Sequence, residues 1–230
     1  KFISGLLLLT FGFSFTVAQT ETPPAPAAPR ELKIPVVTEK TLPNNLKVAV
    51  VERKNVPLVT VQLMVKTGAE SENAEKAGLA NMTAQLLTKG TKTRTATEIA
   101  EQLEFLGATI ETGADWNKSV VMVNVMADKL DQAMAIISDV VLNPKFDQKE
   151  IDLLKSQMQD NLAYNLKQPG FLASYVASRF SFNEHPPTGT PESLERITRA
   201  DIVNFKNLFY LPGNSVLIFS GDISAAKANA

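Results

Sequence analysis

The sequence lacks the residues on which several kinds of site depend. It contains no cysteine and a single histidine, His185, among 230 residues. Without cysteine there is no disulfide framework, no thiolate metal ligand and no thiol nucleophile. One histidine cannot supply the pair of imidazoles found in many zinc sites. Charge of one sign is not in excess either: 23 basic residues face 24 acidic ones, which gives no support for nucleic-acid binding.

Common catalytic and nucleotide-binding motifs are also missing. The chain has no G-x-G-x-x-G, no G-x-x-x-x-G-K-[ST] and no G-x-S-x-G segment. These absences exclude the usual dinucleotide site, the P-loop and the nucleophile elbow of hydrolases.

The N-terminal 31 residues predict export. Residues 1–18 begin with Lys1, continue as an apolar run and end in small residues, which is typical of a secretory signal peptide. The run is short for a stable membrane helix, so we expect no membrane span after cleavage; an uncleaved anchor is the alternative. Residues 19–31 are rich in Pro and Ala and predict an extended tether. Together they predict a periplasmic or secreted protein.

Residues 32–230 have the periodicity of one folded domain, with the order β-β-α-α-β-β-α-α-α-α-β. Short turns between successive strands predict an α+β fold, a largely antiparallel sheet covered by helices. Strand 118–126 is apolar at nearly every position, so we expect it to be central and covered on both faces. Residues 222–230 have the pattern of a helix that has just begun, and we expect a C-terminal continuation. The predicted strands are 46–51, 58–65, 108–113, 118–126 and 215–220; the predicted helices are 75–89, 95–106, 129–142, 147–166, 170–181 and 199–209.

Residues 78–91, GLANMTAQLLTKGT, resemble the zinc-binding helix of the inverzincin peptidases. Insulin-degrading enzyme, pitrilysin and mitochondrial processing peptidase belong to that family. Further segments agree in order and spacing, so the resemblance extends from about residue 40 to 224. These segments are LPNNL at 42–46, GTKTR at 90–94, LE at 103–104 with GA at 107–108, NPKF at 143–146, GTPESL at 189–194 and SGD at 220–222.

The family's H-x-x-E-H motif places two histidines on one helical face, where they bind zinc, and a glutamate that activates the bound water. A later helix supplies a third ligand, also a glutamate. The resemblance puts these four positions at Asn81, Ala84, Gln85 and Asn161. Neutral amides are poor zinc ligands, and alanine accepts no proton. We therefore expect no catalytic and no metal-binding residue in this chain. Only Asp160 would bring in a carboxylate, if the alignment shifted by one place.

Simpler interpretations of the same residues stay open. Asn81 and Gln85 are also compatible with the solvated face of an amphipathic helix. His185 lies in a turn-rich loop, where a structural hydrogen bond is favoured over catalysis.

Strand 108–113 is the predicted substrate-binding element. In active relatives the matching edge strand accepts a peptide by strand addition. Here Thr109, Ile110, Glu111 and Thr112 occupy it. The alternative is an ordinary edge strand on which Glu111 opposes aggregation.

The resemblance implies one half of a processing-peptidase-like clamshell. We expect a non-catalytic subunit that shapes the peptide-binding chamber for a homologous, zinc-bearing partner, with zinc only in that partner and activity only in the heterodimer. One alternative is a structural or binding module of the same fold without a peptidase partner. Another is that the continuation beyond residue 230 carries its own motif.

Overall fold

The computed structural model describes residues 35–182 and 185–229. The predicted signal peptide and tether lie outside the described residues. Six strands form one sheet in the order β1-β2-β6-β3-β5-β4, and every neighbouring pair is antiparallel except β2 and β6. The predicted α+β fold with a largely antiparallel sheet is confirmed. The strands are β1 (Val37–Thr41), β2 (Lys47–Glu52), β3 (Leu58–Val65), β4 (Thr109–Ala114), β5 (Ser119–Met126) and β6 (Ser215–Gly221).

Eight helices accompany the sheet in the described part of the chain. None of these is both long and apolar enough to cross a membrane. Local sequence defines their starts: Thr95 and Glu98 form the predicted capping box of α2, and Thr190 caps α6 with Pro191 in its first turn. The helices are α1 (Leu79–Leu86), α2 (Ala96–Phe105), α3 (Leu130–Leu142), α4 (Gln148–Asn165), α5 (Pro169–Ser181), α6 (Pro191–Arg196), α7 (Arg199–Phe209) and α8 (Ala225–Ala228).

Two elements differ from the sequence-based expectation. Strand β1 was not predicted, because all five of its residues are exposed and show no alternation; its pairing with β2 creates it. The helix predicted over 75–89 is only the eight residues of α1. A 3₁₀ turn, Ala74–Lys76, comes first, and Gly78 at φ +95° separates the two because that conformation cannot continue a right-handed helix.

The expectation that β5 is covered on both faces is wrong. Val121, Val123 and Val125 are at most 2% exposed, whereas Val120 and Met122 on the opposite face are only half-buried. Among the described residues, the strand residues of both core clusters lie on the same face of the sheet, and the helices pack against this face. Apolar side chains on the other face therefore remain open to solvent.

Two glycines allow the start of α1 to approach the loop before α6. Gly78 and Gly189 both have positive φ, +95° and +79°. A Cβ at Gly189 would lie 2.6 Å from the carbonyl oxygen of Ala77, and one at Gly78 would lie 2.9 Å from Leu194 Cδ2. The backbones can therefore come this close only because neither residue has a side chain.

We predict that Gly189→Ala destabilises the protein far more than Gly107→Ala. Gly107 is the matched control: its φ is also positive, +62°, but a Cβ there meets nothing within 4 Å. Gly107→Ala should cost about 1 kcal/mol for the left-handed backbone. Gly189→Ala should cost about 1–3 kcal/mol more, because Ala77 must move. Urea denaturation measures both, and equal losses would contradict the close approach.

Candidate functional site

Helices α1 and α4 border a cleft that brings three of the four predicted positions together. Asn81 and Gln85 reach it from α1, and Asn161 reaches it from α4. The cleft has a volume of about 420 Å³. Ala84 is completely buried and does not line the cleft. Asp160 is exposed and also absent from the lining, so the structure places Asn161 rather than its neighbour at the third position.

The residues present do not fit a zinc ion. Every polar group that lines this α1–α4 cleft is a carboxamide or a hydroxyl, whereas zinc in proteins is held by imidazole, thiolate or carboxylate. Within residues 35–182 and 185–229, no three His, Cys, Asp or Glu side chains are grouped so that they could hold a metal. No hydrolytic step can be built on Asn81, Ala84, Gln85 and Asn161.

The start of α1 is held by Glu72, a buried carboxylate in the segment before it. Its oxygens accept hydrogen bonds from the backbone N–H groups of Gly78 (2.9 Å) and Ala80 (2.7 Å). His185 Nε2 lies 3.1 Å from Glu72 Oε1. His185 is itself buried, and its ring packs nearly perpendicular to that of Trp116, at a centroid distance of 5.4 Å. The structural hydrogen bond predicted for His185 is therefore confirmed, and it fixes the helix that carries Asn81 and Gln85.

Burial changes the proton affinity of both members of this pair. Desolvation raises the pKa of Glu72 to about 7, although the backbone N–H groups of Ala80, Gly78 and Leu79 oppose it. Burial lowers the pKa of His185. Both shifts favour uncharged side chains, so near neutral pH the pair is a hydrogen bond rather than a strong ion pair.

Helix α4 is held by contacts with α6 and with α1. Lys155 Nζ donates to the carbonyl oxygens of Glu195 (2.9 Å) and Ile197 (3.0 Å), at the end of α6. On the inner side, Leu154 and Leu162 are buried in the same apolar cluster as Leu79 and Met82 of α1. The position of Asn161 thus follows from packing and hydrogen bonds that need no metal.

Strand β4 is at the edge of the sheet, as predicted. Asn81 Oδ1 accepts a long hydrogen bond from the N–H of Ala114, at 3.4 Å, so that N–H points away from β5. Because an antiparallel ladder alternates, the main-chain groups of Thr112 and Ile110 also point to the free edge. The groove beside β4 has a volume of about 280 Å³ and is lined by Asn81 as well, so it adjoins the α1–α4 cleft.

Comparison with known proteins agrees with this geometry. The model of the insulinase family, peptidase family M16, matches residues 47–180. The chain belongs to this family. A zinc protease of Rickettsia felis is 27% identical over 191 residues, which are 81% of this chain and 46% of that protein. The chain thus spans about half the length of the curated relatives it matches.

Two solved structures have the same fold. An inactive M16 peptidase domain from Pseudomonas fluorescens aligns with a TM-score of 0.78 and 26% identity, over 84% of this chain and 48% of that chain. The first half of the periplasmic protease PqqL from Escherichia coli aligns with a TM-score of 0.76 over 84% of this chain and 44% of that chain. At 21% identity, the second likeness shows the fold alone.

Sequence reasoning missed three residues of this M16 site. Gln157 and Asn165 line the cleft beside Asn161. Their signal was present, because positions 157, 161 and 165 recur every four residues and share one helical face. Glu72 carried no such signal, since its partner His185 is 113 positions away.

We predict that the triple substitution N81H/Q85H/N161E creates a zinc site. The cleft already brings these positions together, and two imidazoles with a carboxylate form a common zinc ligand set. Metal analysis after dialysis should find about one zinc per chain, against none in the wild type. The control N81H/Q85H lacks the third ligand and should bind zinc about 10-fold to 100-fold more weakly. Equal affinity in both variants would mean that position 161 does not face the other two.

Stability should depend on pH through Glu72. Folded protein keeps this carboxyl protonated up to about pH 7, whereas the unfolded chain releases the proton near 4.5. Between these values the folded state binds more protons, so the contribution of Glu72 to the free energy of unfolding falls as pH rises, by roughly 3 kcal/mol in all.

Glu72→Gln should remove this decline while it keeps an acceptor for the N-terminus of α1. Urea denaturation at several pH values between 4.5 and 7 compares the two proteins. His185 shifts in the opposite direction in both, so the difference between the two curves isolates Glu72. Parallel curves would refute a raised pKa.

Proposed function

We propose that this chain is a non-catalytic half or subunit of an M16 metallopeptidase, which shapes a peptide-binding chamber for a zinc-bearing homologue. One observation carries the proposal: the α1–α4 cleft is present, but the positions that match the family's catalytic residues supply neither a zinc ligand nor a general base. These positions are Asn81, Ala84, Gln85 and Asn161. The chain would have no cofactor of its own, and hydrolysis would occur only in the complex.

Peptide binding is supported by the free edge of β4. Main-chain groups of Ile110 and Thr112 point outward there, and strand addition uses such groups to bind peptides with little demand on their sequence. Thr109 and Glu111 carry exposed side chains on the same strand. We propose residues 109–112 as the substrate-binding segment.

A homologous partner is supported by the open face of the sheet. Val216, Met64 and Val120 are aligned across three neighbouring strands on this face, and Ala49, Ile218 and Met122 belong to the next row, in which Gln62 lies between Ile218 and Met122. The six apolar residues are half-buried and belong to neither core cluster. A largely apolar patch of this kind on an open sheet face is typical of a surface that another protein or domain covers. We propose that the second half of the chamber lies over it.

The proposed location is the periplasm or the extracellular space. It rests on the apolar run of residues 1–18 alone.

The first experiment mixes the purified chain with its zinc-bearing homologue from the same host. Zinc content and cleavage of a quenched fluorescent peptide are measured for each protein and for the mixture. We expect neither zinc nor cleavage for this chain alone, and cleavage that appears or rises at least about tenfold on mixing. Stoichiometric zinc and cleavage by this chain alone would refute the proposal. Stable association without any gain in activity would favour the structural module.

The role of β4 predicts that Thr112→Pro weakens peptide binding whereas Thr112→Val does not. Proline removes the outward N–H, and an edge strand tolerates this because no ladder hydrogen bond is lost. Valine is the matched control, since it keeps the N–H and the shape of the side chain. Loss of one main-chain hydrogen bond should raise the Kd about tenfold. Fluorescence anisotropy with a labelled peptide measures it, and equal Kd values for both variants would exclude strand addition at this edge.

A further inference from the structure

The α1–α4 cleft contains five carboxamide side chains and no charged one. They form two rows with four-residue spacing: Asn81 and Gln85 on α1, and Gln157, Asn161 and Asn165 on α4. Four-residue spacing places each row on one side of its helix. The cleft is therefore bordered on both sides by groups that each donate and accept hydrogen bonds.

Much of this hydrogen-bonding capacity is unused. Asn165 Nδ2 donates to Asn161 Oδ1 at 2.7 Å, and Asn81 Oδ1 accepts from Ala114. The side chains of Gln85 and Gln157 bond to no other residue in the described part of the chain. An internal bond between two asparagines orients both, while their remaining donor and acceptor groups stay available to a ligand.

The remainder of the lining is apolar apart from the hydroxyl of Thr188. Leu154, Met158, Leu162 and Phe171 contribute it. Leu162 is 5% exposed, and the Phe171 ring is stacked on Tyr175 at a centroid distance of 6.0 Å, which holds that wall in place. This surface suits an aliphatic or aromatic side chain, while a charged group would be partly desolvated without a counter-ion.

We propose that the α1–α4 cleft is a metal-independent binding site for an uncharged, extended segment of polypeptide. A peptide group presents one N–H and one C=O, and a carboxamide can pair with both. The proposal rests on the proposed function, because it adds a second subsite to the peptide-binding surface. The cleft differs from the proposed β4 subsite in what it recognises. Strand addition at β4 uses only main-chain groups of the peptide, whereas the cleft selects against charged side chains.

The two subsites are continuous at one residue. Asn81 lines both the β4 groove and the α1–α4 cleft. Its Oδ1 marks the end of the free edge of β4, through the contact with Ala114. A peptide that is bound along β4 and extends past this point would enter the α1–α4 cleft between the two rows of carboxamides.

The test measures binding of a fluorescein-labelled decapeptide of Ala, Ser, Gln and Leu with a blocked C-terminus. Fluorescence anisotropy is recorded for the full chain, with and without EDTA. Gln157→Met and Asn161→Leu remove hydrogen-bonding groups from exposed positions of the cleft and should leave the thermal midpoint unchanged. Each should raise the Kd about fivefold to tenfold. Gln132→Met, on the exposed face of α3, is the matched control and should bind as the wild type does.

A second measurement tests the selection against charge. Peptides that carry a single Lys or Glu, placed at each position in turn, should bind about tenfold more weakly at the positions that enter the cleft. Gln157→Glu should restore binding of the Lys peptide and weaken that of the Glu peptide.

The outcomes separate this inference from the proposed function. If Thr112→Pro weakens binding but Gln157→Met and Asn161→Leu do not, the cleft is not a peptide site and the proposed function stands. Binding that EDTA abolishes would overturn metal independence. If the wild-type chain binds no peptide, either alone or with its zinc-bearing homologue, both proposals fail together.

Discussion

The placement of α1 depends on one buried carboxylate. Glu72 accepts two backbone N–H groups at the start of this helix and contacts His185, which comes from a loop 113 positions further along the chain. A buried carboxyl group without such partners would be strongly unfavourable, so the three segments are held in one arrangement. Asn81 and Gln85 reach the cleft, and Asn81 reaches β4, only because the helix begins where Glu72 holds it. The buried pair of Glu72 and His185 thus lies behind the cleft and does not line it.

A metal can hold its ligand helices together, because its binding free energy adds to the folding free energy. Here α1 and α4 need no such help. Lys155 ties α4 to the end of α6, and the apolar cluster beneath the cleft includes residues of both helices. The cleft therefore keeps its shape although its lining contains no imidazole or carboxylate. In this M16 domain the fold does not depend on the groups that would bind zinc.

Sequence patterns predicted those strands and helices that bury one side and expose the other. Strand β3 and helix α3 were located because one side of each is buried, which leaves a period in the sequence. Strand β1 has no such period, because all its residues are exposed. The apolar residues on the second face of β5 do not indicate whether another layer covers that face. In the site, family resemblance placed Asn81, Gln85 and Asn161, and the structure brings them together. Glu72 could not be predicted in this way, because its contacts join segments far apart in the chain.

Holding a peptide and cleaving it make different demands on the same cleft. Hydrolysis needs a metal and a base in a fixed relation to one carbonyl carbon, so a substitution such as alanine at position 84 ends it. Binding needs only main-chain groups at a free edge and side chains that can both donate and accept. Carboxamides meet that need without an attacking group or a charge, and the edge of β4 continues into them at Asn81. Under the proposed function, such a domain would retain a peptide without cleaving it, and the open sheet face would be the surface on which the zinc-bearing partner closes.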